Sequence, residues 1–238
     1  MIPQSPTSLS TYATCPRQYQ AKYITKEVVF ADTEATLMGS YVHKLLEDTT
    51  NCFFNNGNFP ERGTDNLLPI VRTLCKYRGT KGLEVKAETK LAIDKDSNAC
   101  DWYSKDCYMR AIADAVFTCN GQTLVLDYKT GKYKGEPVPE SIQIQAEFLR
   151  RCCIPQTFGE PTSILFLYLF AAPNTLARYE FKKGSYDLQT KVDVLMNKLA
   201  ADTEFLPQRS GLCKKWCDVL RCEFNGRREQ NGNSQKES

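Results

Sequence analysis

The chain has 238 residues, of which 42% are hydrophobic and 25% charged, a balance that suits one globular domain with a proper core. A net charge of +3 excludes a global basic field, so affinity for nucleic acid has to come from local patches such as Arg150-Arg151, Lys182-Lys183 and Lys214-Lys215. No apolar run reaches the roughly 20 residues of a membrane span, and the N-terminus lacks a basic region followed by an apolar core, so a cytoplasmic protein with no membrane partner is expected. Eleven cysteines in such a chain favour reduced thiols or metal ligands over disulfides.

In chain order, SPTSLSTYATCPRQYQAKYI reads as a helical cap. Ser8 is a plausible N-cap, Cys15-Pro16 breaks the chain, and a second helix follows with Tyr19 and Tyr23 four residues apart. Ala35 to Thr49 has a helical period, with Leu37, Met38, Tyr41, Val42 and Leu45 as its apolar stripe. His43 and Glu47 share another face. A further helix is expected from Leu67 to Tyr77, then an alternating strand from Leu83 to Ile93 whose apolar face is Val85, Ala87 and Leu91.

Tyr108 to Lys132 reads as a β-hairpin around Asn120-Gly121, a dipeptide that favours a two-residue turn because both residues tolerate positive φ. That turn sets the register. Cys119 should face Gln122, Phe117 should face Leu124, and further down Asp114 should fall opposite Asp127. Directly opposed residues have Cβ atoms about 4.5–5.5 Å apart, and like charges so placed repel unless a cation lies between them. A divalent ion would supply that charge. Lys129 shares the face of Asp127, whereas Leu126 and Tyr128 point to the apolar side. Asp127 also ends a buried strand, which is where ligand sites form in open α/β sheets.

A helix from Glu140 to Arg151 and the apolar run Ser163 to Ala172 complete a β-α-β unit, which makes the two strands parallel and the sheet mixed. A strand from Ala177 to Phe181 and a helix from Tyr186 to Phe205 close the core. The fold class is therefore α/β, a central mixed sheet flanked by helices, with residues 1–224 as one domain and 225–238 as a disordered tail.

Several of these segments together resemble the RecB-like branch of the PD-(D/E)XK nuclease superfamily, including its CRISPR-associated and phage exonucleases. The segments are SLSTYATCPRQYQAKY, Gly39 to Glu47 around His43 (the sole histidine), Arg110 to Asp114, LVLDYKTGK and SIQIQAEFLRR. The resemblance implies a restriction-endonuclease-like core with a helical cap closed by a cysteine metal site. It makes Asp114 and Asp127 metal-binding carboxylates, the Tyr128 carbonyl and His43 further ligands, Lys129 the catalytic lysine, and Gln145 the helix glutamine, with Gln143 close behind. Ala111 stands where the family often has glycine. Oxygen-rich sites of this kind suit Mg²⁺ or Mn²⁺. Glu88 and Glu47 are read first as solvated or structural charges.

Cys213, Cys217 and Cys222, joined by Cys15, resemble the family's four-cysteine ligands of a [4Fe-4S] cluster, although the same C-terminal span is divided differently here; zinc is the rival. The function implied is metal-dependent hydrolysis of DNA, from an end of a single strand or a processed duplex, with a recombination or replication protein as possible partner. The alternatives are an inactive DNA-binding relative and a nuclease of CRISPR spacer acquisition.

Overall fold

The computed structural model describes residues 2–28, 33–51, 80–172, 175–185 and 187–227. The expected Leu67 to Tyr77 helix lies outside them, as does most of the expected tail. The chain divides into two compact units, one of residues 1–6 and 32–189, the other of 7–31 and 190–238.

The first unit is a five-stranded mixed sheet flanked by helices. Its strands are β1 (Glu84–Ile93), β2 (Met109–Cys119), β3 (Gln122–Lys129), β4 (Ser163–Ala172) and β5 (Thr175–Lys182), lying side by side in that order. Only the β3/β4 pair is parallel. The β2–β3 turn has φ of 49° at Asn120 and 74° at Gly121, the pair of positive values that the Asn-Gly signal implied. Hairpin pairing then runs from Cys119 opposite Gln122 to Ala115 opposite Leu126.

Helix α3 (Glu34–Asn51) packs Val42 and Leu46 against Ala115, Phe117, Leu126, Tyr128 and Leu167. Burial of each such aliphatic side chain contributes about 1.5–3 kcal/mol, so this contact fixes the helix on the sheet. The expected stripe is only half used. Leu37 and Met38, about one turn before Val42, and Tyr41, the residue next to it, are exposed. A helical period marks a face; it does not say how far along the helix that face is covered.

Helix α4 (Glu140–Cys153) is the crossover between β3 and β4, as the parallel pairing requires, and buries Ile144, Phe148 and Leu149. Strand β4 is buried through Ile164, Phe166, Leu167 and Tyr168, as a strand covered on both faces should be.

The second unit holds most of α1 (Pro6–Thr14), α2 (Pro16–Tyr19), a wider π turn over Gln20–Ile24, and α5 (Gln189–Ala201) from its second residue onward. Helix α1 starts at Pro6, so Ser8 lies inside it and does not cap it; proline suits a first turn, where its missing N–H has no partner to lose. Tyr12 meets Tyr19 edge-on at 5.6 Å, and Tyr19 stacks on Phe205 at 6.1 Å. Tyr12 Oη donates to Asp202 Oδ2 at 2.9 Å. Helix α5 is shorter than the Tyr186 to Phe205 expectation. Asp202 stops it by accepting from the backbone N–H groups of Glu204 and Phe205, and Phe205 turns to a φ of 50°. Among the described residues no helix is long and apolar enough to cross a membrane.

Candidate active site

The two antiparallel registers place three carboxylates at one level of the sheet. Asp114 on β2 is next in line after the Ala115/Leu126 pair, which brings it to the level of Asp127 on β3. On its other side Ala87/Ala115 and Thr89/Ala113 bracket Glu88, which stands at the level of Asp114 without pairing to it. The row therefore reads Glu88, Asp114, Asp127 across β1, β2 and β3. Glu88 holds a φ of 44°, a left-handed backbone that a non-glycine residue adopts at a cost of about 1–3 kcal/mol.

Asp114 is 8% exposed. Its Oδ2 accepts the backbone N–H of Tyr128, so the carboxylate occupies a place where a strand carbonyl would ordinarily sit. Its Oδ1 lies 3.2 Å from His43 Nδ1. That hydrogen bond is the main reason the His43 pKa is raised, against the opposing effect of burial. Ligand atoms of His43, Glu88 and Asp114 all lie within 4.8 Å of one another, a spacing one metal ion could bridge. Burial first, and the charge of Asp114 second, hold the Glu88 pKa above the ordinary glutamate range.

Asp127 is 3% exposed, and burial pushes its pKa up to about 7, with Lys129 opposing and Asp114 adding to the rise. Gln145 Nε2, on α4, donates to Asp127 Oδ2. Lys129 Nζ donates to Gln145 Oε1 at 2.7 Å and stands in ion-pair contact with Asp127 Oδ1. Oδ1 thus faces the lysine ammonium and Oδ2 the glutamine amide, so both oxygens of this buried carboxylate are engaged. Strand alternation sends Tyr128 into the apolar core on the other face, where its ring is buried.

The structure thus gathers His43, Asp114, Asp127, Lys129 and Gln145 in one place. Gln143 is elsewhere, its Nε2 donating to Val138 O at 2.7 Å. Glu47 pairs with Lys44 at 3.0 Å. Glu88 is the residue that sequence reasoning undervalued. Its alternation on β1 was visible, but residues 94–108 separate it from β2, and a connection of that length fixes no register that can be counted.

In the second unit Cys15, Cys213, Cys217 and Cys222 line one cavity, together with Arg17 and Gln208. Backbone N–H groups point at two of the sulfurs: Gln208 N at Cys15 Sγ and Ser210 N at Cys213 Sγ, each at 3.4 Å. Burial, aided by the three neighbouring thiols, raises the Cys217 pKa.

Buried acidic residues thus lie on two adjacent strands of a mixed sheet, one of which also carries the lysine. The chain matches the family profile of the PD-(D/E)XK nuclease superfamily over residues 3–223, and it belongs to that superfamily, whose members are metal-dependent nucleases. Among solved structures it is similar to the crystal structure of SSO0001, with a TM-score of 0.55 and 16% identity over 94% of this chain and 88% of that one. At that identity the likeness is one of fold, and it agrees with a restriction-endonuclease-like core. No curated protein matches the chain.

Proposed function

We propose that the chain is a Mg²⁺- or Mn²⁺-dependent DNA exonuclease of the RecB-like branch, acting at ends of single strands or processed duplexes. The observation that carries the reading is the carboxylate row: three acids at one level of the sheet, two of them buried. Such a row repels itself, and a divalent cation is the group that would offset it. Asp114, Asp127, His43 and the Tyr128 carbonyl would hold the ion, with Glu88 as a further oxygen donor. When bound, the ion would activate water and neutralise phosphate charge.

The protein side chains then have separate tasks. Lys129, tethered by Gln145, sets a positive charge beside the row, where it would stabilise charge building on the phosphate. Gln145 accepts from Lys129 and donates to Asp127, so it fixes both groups at once. His43 holds Asp114 from the opposite side.

Cys15, Cys213, Cys217 and Cys222 would carry a structural [4Fe-4S] cluster, within a single nuclease domain over residues 1–224. Two N–H···S contacts favour this, since thiolate clusters are stabilised that way. Zinc, which also accepts four cysteines, is the rival occupant.

The test is incubation of the full chain with end-labelled linear DNA and with closed circular single strands, in Mg²⁺ or Mn²⁺. Progressive shortening of linear DNA with circles left intact is expected. Cutting of circles would overturn the exonuclease assignment.

A further inference from the structure

The connection between β1 and β2 is a tied platform. Asp94 N donates to Asn98 O at 2.9 Å, while Asp94 Oδ1 accepts from the backbone of Asp96 at 2.9 Å and of Asn98 at 2.8 Å. Asp101 Oδ1 accepts from Tyr103 N at 2.8 Å, and Cys107 N and Tyr108 N bond to Ser104 O and Ile93 O at 3.2 and 2.8 Å. The carboxylates of Asp94 and Asp101 are thus used by the loop itself.

This fixed loop displays aromatic rings outward. Tyr103 is 79% exposed and Trp102 half-buried. Lys90 Nζ lies 5.8 Å from the centroid of each ring, and the Arg110 guanidinium carbon 5.0 Å from that of Trp102. Among the described residues neither cation has a carboxylate within ion-pair distance. Lys90 follows Glu88 by two residues. Ile112, opposite Lys90 and also exposed, and Arg110 precede Asp114 by two and four. At about 3.4 Å per residue the patch begins ~7 Å from the carboxylate row and reaches ~14 Å from it.

Cations free of close ion pairs beside a presented ring match one chemistry closely. Phosphates need the charges, and an unstacked base needs the π face, which a base inside a duplex cannot offer. We propose that Tyr103 and Trp102, with Lys90 and Arg110, form a track for single-stranded DNA that leads into the carboxylate row. The inference rests on the DNA-cleaving reading of that row and adds the substrate form and its path.

The test is fluorescence anisotropy of the full chain with a short fluorescein-labelled oligothymidylate and with a duplex, in EDTA so that nothing is cut. Tyr103→Ala should weaken single-strand binding roughly five- to a hundredfold, the range of one lost base stack, while Tyr103→Phe keeps it and duplex binding changes less than about twofold. Lys90→Ala and Arg110→Ala should each reduce the salt dependence of single-strand binding by about one phosphate contact. Unchanged single-strand binding by Tyr103→Ala, an equal loss on duplex, or no single-strand binding by the parent chain would each overturn the track. Cleavage by the parent chain in Mn²⁺ is read separately: binding that depends on Tyr103 without any cleavage leaves the track standing and removes the nuclease reading.

Discussion

Replacing Asp127 with asparagine should stabilise the metal-free protein while removing its activity. Asp127 is buried, and its pKa near 7 contrasts with the ordinary 3.8. At about 1.4 kcal/mol per tenfold, that gap costs the ionised form on the order of 4 kcal/mol once the pH exceeds 7. The sign follows from proton binding. Between about pH 4 and pH 7 the folded chain holds a proton that the unfolded chain has released, so the Asp127 contribution is full below pH 4 and lost as pH rises through 7.

Asparagine cannot ionise, so it escapes that loss. The Asp127 pKa near 7 already includes the attraction of the Lys129 charge. The gain at pH 8 is therefore up to about 4 kcal/mol, or a rise of about 8–16 °C in Tm for a chain of this size. Thermal unfolding of parent and Asp127→Asn in EDTA, followed by circular dichroism at pH 4 and pH 8, measures it. The two should melt together at pH 4 and part at pH 8. A variant less stable than the parent at pH 8 would refute the argument that the row is self-repelling without a cation.

The other expectations concern single roles. Lys129→Ala should lower turnover about 10²–10³-fold with metal affinity kept, because its charge is needed as the phosphate gains charge, whereas His43→Ala should be rescued by excess Mn²⁺; rescue of the lysine variant instead would reverse the assignments. Glu88→Gln should weaken Mn²⁺ binding, and Glu88→Gly, which relieves the left-handed backbone, should leave the metal-free fold at least as stable despite losing the side chain; a drop of more than about 1 kcal/mol in denaturant titration would show that the φ of 44° carries no strain. Protein made without oxygen should contain iron and acid-labile sulfide and lose both in Cys15→Ser; stoichiometric zinc in the parent would keep the cysteine site and remove the cluster.

How much of this could be read from the sequence depended on chain distance. Asn120-Gly121 fixes the hairpin register because a two-residue turn admits little else, so Asp114 and Asp127 could be set level by counting. Lys129 followed by alternation, and the parallel β4 followed from the crossover helix. Glu88 could not be placed in the same way, since its strand is joined to β2 by a long connection and its level is set by pairing across the whole sheet. The exposed half of α3 shows a related limit: Leu37 and Met38 have the same period as Val42 and Leu46, yet only the latter meet the sheet. Helix ends were governed by single side chains, Asp202 above all, which local propensity does not rank. The cation–ring contacts of Lys90 and Arg110 join residues eight to thirteen apart across an irregular loop, and no spacing rule reports them.

The central claim is that the carboxylate row holds a divalent cation, and direct binding of Mn²⁺ tests it with no substrate present. Titration of the parent chain and of the Asp114→Asn/Asp127→Asn double variant at pH 8, with free Mn²⁺ followed by electron paramagnetic resonance, separates binding from catalysis. The parent should remove Mn²⁺ from solution and show weaker uptake as the pH falls below 7, where Asp127 takes a proton, and the double variant should remove little at either pH. Equal Mn²⁺ uptake by the two proteins would place the ion elsewhere and contradict the account.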